Sequence, residues 1–306
     1  MQARRQFSSM QARAGQVQRG LQEPLDRRSN LPQCCAMPAQ NFAEMVRRLS
    51  IAALSLGLLA HGSDTRLRPA VSPRLAHLPR ITVWAWERRE DLRELDRRTT
   101  AVAYLDRTVL VDARGLEVLP RRQPMLLPAV DGLTRIAVVR IETRPGAPAN
   151  DTAATAVAEA VVEAAGQPGL AALQVDFDAR QSERAWYARV LRRVRSRMPP
   201  ELPLSITALA SWCSYDGSWL HMLPIDEVVP MLFRMEPDRR RIAERSGLRG
   251  VEAVADFTIR EPQCLNSAGI STTEAWPRNL AGKRVYIFPD RGWARDGLAE
   301  TVRSLP

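Results

Sequence analysis

The sequence predicts a single-domain α/β protein, a (β/α)8 TIM-like barrel, and three observations support this. From residue 80 onward, short β-branched and apolar runs alternate with segments of helical periodicity. The runs are continuously apolar, which is typical of parallel strands covered on both faces. Eight such runs favour a barrel over a doubly wound sheet, and no nucleotide-binding glycine pattern follows the first of them.

Each barrel strand is predicted from a run that ends at a turn or helix signal. The strands occupy residues 81–86, 100–105, 135–141, 170–175, 204–209, 227–233, 267–272 and 284–288. Residues 108–127 predict a hairpin inserted after the second strand, with Gly115 between its two pieces. Helices are predicted at 91–98, 153–165, 182–198, 217–223, 238–246 and 293–305. The helix at 153–165 is the clearest, because Asn150 or Asp151 can cap its start and Gly166 can end it.

Residues 1–79 are predicted to lie outside the barrel. Residues 1–44 lack an apolar period and predict disorder, and we infer that translation starts at Met45. Residues 45–63 place Arg47 and Arg48 before an apolar run and a polar exit, the order of a secretory signal. Residues 64–79 would be a linker. The alternative is a buried core helix behind a genuine N-terminal arm.

The expected location is therefore periplasmic or secreted. The apolar run is short for a transmembrane helix. We expect contact with the inner membrane only through this segment, and only if it stays uncleaved.

The formal net charge of +10 does not predict a nucleic-acid partner. Residues 1–48 hold eight Arg against three acids and so carry about half of the excess. Elsewhere the arginines alternate with acids, and the dense run at 189–197 has the period of a solvated helix face. No aromatic-basic RNA motif is present.

Cysteine and histidine usage points to an exported protein without a metal. Beyond the N-terminal segment the chain has two cysteines, Cys213 and Cys264. In an oxidising compartment they would pair, although the sequence leaves open two unrelated buried thiols. The three histidines show no metal-ligand spacing with them, so neither a metal nor another cofactor is expected.

Polar and aromatic residues follow the ends of several predicted strands, where a barrel carries its active site. An aromatic ring can stack on the C–H face of a sugar, while one carboxyl group protonates the leaving oxygen and another attacks or activates water. The sequence therefore predicts a carbohydrate or another small molecule as ligand. The candidate ligand contacts are Trp84, Trp86, Glu87, Arg140, Gln174, Thr207, Ser211, Trp212 and Arg234.

The candidate catalytic residues are Asp176, Asp178 and Glu274. Asp176 and Asp178 are two residues apart and so project to the same side of their strand. Two close carboxyl groups favour one protonated and one ionised form, which suits Asp178 as general acid and Asp176 as its modulator. Glu274 would be the nucleophile or base. The alternatives are carboxylates paired with arginine at a strand end, a solvated loop acid, and tryptophans that only fill the core.

Three segments resemble a bacterial family, the domain of unknown function 3142 (DUF3142) family. They are residues 173–180, residues 204–213 and residues 229–235, and the likeness extends over roughly residues 80–293. The family's strand-one tryptophan pattern resembles residues 83–86, and its Ser-Thr-Asp-Glu pattern resembles residues 271–274, where this chain has Thr273 in place of Asp. The resemblance implies a barrel similar to those of glycoside hydrolases.

Three functions are compatible with these features. The first is a glycoside-hydrolase-like enzyme that uses paired carboxylates. The second is a non-catalytic carbohydrate-binding or cell-envelope protein on the same scaffold. The third is an Asp-x-Asp metal site for a nucleotide-activated sugar, against which export argues.

Overall fold

The computed structural model describes residues 69–129, 132–214, 217–233 and 258–305. Eight parallel strands form a closed barrel, in which each strand pairs with the next and the last pairs with the first. The predicted (β/α)8 barrel is thereby confirmed. Around the barrel the strands are β1 (Ile81–Ala85), β3 (Thr100–Asp112), β6 (Arg135–Thr143), β7 (Leu170–Asp176), β8 (Leu204–Leu209), β9 (Glu227–Met231), β10 (Ser267–Ser271) and β11 (Arg284–Phe288).

Three further strands among the described residues lie outside the ring of eight. β3 continues past the barrel wall and pairs with the antiparallel strand β4 (Gly115–Pro120), which is the hairpin predicted around Gly115. The short strands β2 (Glu90–Asp91) and β5 (Met125–Leu126) pair in a separate two-stranded sheet.

Among the described residues, two long helices cover the wall. They are α1 (Asp151–Ala165) and α2 (Arg184–Arg197). The Asn150 side chain accepts a hydrogen bond from the Ala153 amide at 2.9 Å, and Gly166 ends α1, as the sequence predicts. The apolar face of α2 is buried because its large side chains recur with helical spacing; its buried members are Trp186, Tyr187, Ala188, Val190, Leu191 and Val194.

Other predicted helices differ from the structure. Residues 91–98 form strand β2 and turns instead of a helix. The predicted final helix is divided at Gly297, whose φ of +73° interrupts it, into α4 (Trp293–Asp296) and α5 (Leu298–Arg303). Within 217–223 only Leu220–Met222 forms a single 3-10 turn, and the helix α3 (Ala210–Ser214) precedes it. The helix predicted at 238–246 lies outside the described residues.

Apolar side chains fill both faces of the barrel wall, because successive strand residues point alternately inward and outward. Inside the barrel, one buried cluster includes Trp84, Ile136, Val138, Tyr286 and Phe288. The outward-facing residues of the same strands join a second cluster with α1 and α2. The lumen is therefore a packed core and leaves ligand access only at its ends.

The segment before β1 closes the amino-terminal end of the barrel. Leu75 and Leu78 are buried in the lumen cluster. The Arg284 guanidinium donates hydrogen bonds to the backbone carbonyls of both, at 3.0 Å. Residues 72–79, which the sequence assigned to a linker, are thus part of the barrel domain.

A disulfide joins Cys213 in α3 to Cys264, 51 residues later. Both cysteines are fully buried. No helix among the described residues is both long and apolar enough to span a bilayer. The signal-like segment at 45–63 lies outside the described ranges.

Candidate functional site

Four of the predicted site residues come together at the carboxyl end of the barrel. Asp176, the last residue of β7, accepts hydrogen bonds from Arg140 Nη1 at 2.8 Å and from Thr207 Oγ1 at 2.7 Å. Arg140 also donates from Nε to Glu142 at 2.8 Å. The Arg140 guanidinium lies 5.8 Å from the centre of the Trp86 ring. We call the four polar residues, Arg140, Glu142, Asp176 and Thr207, the mouth cluster.

The mouth cluster is largely removed from water. The side chains of Arg140 and Asp176 are 13% and 3% exposed. Burial opposes the positive charge of Arg140, but Asp176, Asp178 and Glu142 outweigh it and raise the pKa of this guanidinium. Two carboxylates of the cluster, Asp176 and Glu142, therefore bind one cation, and these described residues carry a net negative charge.

Aromatic rings cover the other side of the mouth. Trp86 and Phe233 are half-buried, while Phe288 is buried between the strands. The Phe288 ring centre lies 6.3 Å from that of Trp86 and 4.8 Å from that of Phe233. Trp84, inside the lumen, stacks on Phe288 with their ring centres 4.5 Å apart. The mouth thus has an aromatic side, contributed by β1, β11 and the end of β9, and an ionic side, contributed by β6, β7 and β8.

The other two predicted catalytic residues lie just beyond strand ends. Asp178 is exposed, two residues past β7, and its charge acts on Arg140. Glu274 is half-buried in the loop after β10. The base of this loop is fixed, since Trp276 Nε1 donates to the Ser271 carbonyl at 2.8 Å and Thr272 Oγ1 donates to Asp296 at 2.7 Å.

Two predicted tryptophan platforms are corrected by the structure. Trp84 is 0% exposed inside the lumen, and Trp212 is 1% exposed in the helix layer, where it packs edge-on against Trp219 at 5.0 Å. Both rings fill the core. Strand-end position alone did not distinguish them from Trp86, because it does not show how deep a ring lies.

Three further predicted ligand contacts are buried or hydrogen-bonded within the protein. Gln174 is fully buried below Asp176 and donates to Ser205 Oγ at 2.9 Å. Ser211 is buried in α3. Glu87 Oε1 accepts hydrogen bonds from the Arg122 and Gln123 amides, each at 3.0 Å, and so holds the loop after β4. Arg234 lies outside the described residues.

Sequence reasoning missed Phe233 and Phe288 as parts of the mouth. Strand alternation could have identified both. Phe233 lies four residues after the inward-facing Val229, and Phe288 lies two residues after the inward-facing Tyr286, so each is expected to point to the same side as its partner in this comparison. No group of three His, Cys, Asp or Glu side chains within the described ranges is placed to hold a metal ion.

Comparison with known proteins identifies a matching family and a similar solved structure. Residues 131–235 match the family described as Domain of unknown function (DUF3142), which confirms the resemblance seen in the strand-end motifs. The matched residues run from β6 through β9 and include Arg140, Asp176 and Thr207. No curated protein matches the sequence.

Among solved structures, the spore cortex-lytic enzyme SleL of Bacillus cereus is similar, with a TM-score of 0.36 and 14% sequence identity. The similarity covers 63% of this chain and 51% of that enzyme. The chain thus spans about half the length of the enzyme it matches.

Proposed function

We propose that the mouth of the barrel binds a carbohydrate and hydrolyses a glycosidic bond in it. The observation that carries this proposal is the division of the mouth into an aromatic and an ionic side. A sugar ring has an apolar C–H face and a rim of hydroxyl groups. Trp86 offers a surface for the first, and the mouth cluster offers hydrogen-bonding groups for the second.

The two aspartates have different roles in this proposal. Both Asp176 oxygens already accept hydrogen bonds from Arg140 and Thr207, so this carboxylate is the positioning residue. Asp178 donates its proton to the leaving oxygen as the glycosidic C–O bond breaks. Glu274 attacks the anomeric carbon, or takes a proton from the water that does so, and water supplies the new hydroxyl group.

The test uses the purified full-length chain with its disulfide intact, incubated with a panel of glycans. We expect release of reducing ends, and a loss of about a hundredfold or more in rate for Asp178→Asn, the range that general acid catalysis contributes. Asp96→Asn is the matched control, because Asp96 lies before β3, at the opposite end of the barrel, where Arg98 pairs with it. Cleavage that survives Asp178→Asn would remove the proposed acid.

A second function, carbohydrate binding without turnover, is favoured by one observation. Arg140 holds Asp176 and Glu142 at 2.8 Å each, as a structural ion cluster at a strand end would. Calorimetric binding of a glycan that is never cleaved, and that Trp86→Ala weakens, would establish this function instead.

A further inference from the structure

We infer that the mouth binds two consecutive uncharged sugar units, one on Trp86 and one on Phe233, so that the ligand is a neutral oligosaccharide. This inference rests on the proposed function and specifies its substrate class. It assigns to Phe233 the role of a second stacking platform.

The spacing of three rings supports two platforms. Phe288 is buried, and its ring centre lies 6.3 Å from that of Trp86 and 4.8 Å from that of Phe233. Trp86 extends from β1 and Phe233 follows β9, on either side of β10 and β11. Two half-buried rings on different strands, each in contact with the buried Phe288, offer a ligand two stacking positions. A single sugar ring can occupy only one of them.

Phe233 is held in place for this role. Together with Trp86 it packs against the lumen cluster, whose buried members include Trp84 and Phe288. The Trp84 and Trp86 ring centres lie 5.2 Å apart, so both platforms rest on the same aromatic base. A rigid aromatic surface loses little conformational entropy when a ligand binds to it.

The charge of the mouth selects the sugar. Among the described residues, the Arg140 guanidinium is hydrogen-bonded to Asp176 and Glu142, so one positive charge faces two negative ones. A uronic acid or a sulfated sugar would place a further anion beside these carboxylates, and like charges repel most strongly where burial limits screening. Uncharged sugars avoid this repulsion.

The test measures binding by calorimetry to two neutral series: glucose, cellobiose and cellotetraose, and N-acetylglucosamine with its β-1,4-linked dimer and tetramer. The Asp178→Asn variant is used so that no ligand is cleaved. We expect the dimer of at least one series to bind about tenfold more tightly than its monomer, the gain that one aromatic contact gives at its upper range. Adding Phe233→Ala should remove that gain and leave monomer binding unchanged.

The matched control is Met222→Ala, which shortens a 59% exposed apolar side chain on another loop. Equal affinities for monomer and dimer, or a dimer gain that persists in Phe233→Ala, would overturn the two-platform inference and leave the proposed function intact. Binding of galacturonic acid oligomers in preference to both neutral series would overturn the charge argument. Binding of no carbohydrate at all would overturn the inference and the proposed function together.

Discussion

Arg140 determines the arrangement of the mouth. Its guanidinium ties β6 to β7 through Asp176 and also lies against Trp86 from β1. A buried ion pair adds little net stability relative to apolar residues, but removal of one partner leaves an unpaired buried charge. The position of Trp86 and the pairing of the Asp176 carboxylate therefore both depend on this one side chain.

Replacement of this guanidinium should be strongly destabilising. We expect Arg140→Met to lower the free energy of unfolding by about 3–5 kcal/mol, because Thr207 is then the one hydrogen-bond donor left to the Asp176 side chain among the described residues. Urea denaturation followed by circular dichroism measures the change. The double variant Arg140→Met with Asp176→Leu should recover part of the loss.

Arg93→Met is the control for this experiment, because the Arg93–Asp91 pair is exposed and should leave the midpoint unchanged. If Arg140→Met unfolds at the urea concentration of the wild type, the pair is not the organising contact of the mouth.

Single residues of the site could be predicted from the sequence where the alternation along a strand alone decides whether a side chain points into the lumen. Asp176 and Thr207 end or nearly end apolar strands, and both face the lumen as alternation requires. Depth and loop geometry could not be predicted. Glu87 follows β1 in the same way, yet it binds the backbone of a loop that is distant in sequence.

At the scale of elements, β10 and β11 form the base of the aromatic side. Gly269 in β10 faces Phe288 in β11, and a Cβ at this glycine would lie 3.1 Å from Phe288 Cε2 and 3.2 Å from the Pro230 carbonyl oxygen. These distances are shorter than ordinary van der Waals contact. The absence of a side chain at Gly269 therefore lets Phe288 take its place between Trp86 and Phe233.

A methyl group at this position should disturb the packing of both strands. We expect Gly269→Ala to lower the free energy of unfolding by about 1–3 kcal/mol, the usual effect of an overfilled core. Gly166→Ala is the matched control, since its Cβ would lie 3.5 Å from the Glu163 carbonyl oxygen without strain. Equal thermal midpoints for the two variants would show that Phe288 shifts without loss.

Element prediction succeeded for buried segments and failed for exposed ones. The strands and helices α1 and α2 were predicted because their apolar periods reflect burial. Residues 91–98 are rich in Arg, Asp and Glu, which resemble an exposed helix in composition. In the structure, Asp91 and Asp96 instead pair with Arg93 and Arg98, two residues on, and stabilise turns.

At the scale of the whole molecule, the barrel consists of its wall and of a plug, residues 72–79, at its amino-terminal end, and the sequence predicts only the first. Eight apolar runs predict its wall, but the plug at the amino-terminal end has no periodic signal, because it is a short irregular segment. Asp226, before β9, fixes this plug by accepting hydrogen bonds from Ser72 at 2.7 Å and Arg74 at 3.0 Å. It also binds the Leu204 amide and Arg195 of α2.

The Asp226 carboxylate should make the free energy of unfolding depend on pH. Burial alone would raise the pKa of Asp226, but the hydrogen bonds from Ser72, Leu204 and Arg74 lower it below its usual value. Because the folded-state pKa is depressed, the stabilisation is complete above the unfolded value of about 3.9 and is lost as the pH falls towards the folded value.

We therefore expect Asp226→Asn to lower the free energy of unfolding by about 1–3 kcal/mol at pH 7, the range for hydrogen bonds to a charged group. The difference from the wild type should shrink below about pH 4, where the wild-type carboxylate becomes protonated in the unfolded state. Urea denaturation between pH 7 and pH 3 measures it, with Glu117→Gln at an exposed position of β4 as control. A difference that stays constant over this range would mean that Asp226 acts through its shape alone and that the plug is not held by charge.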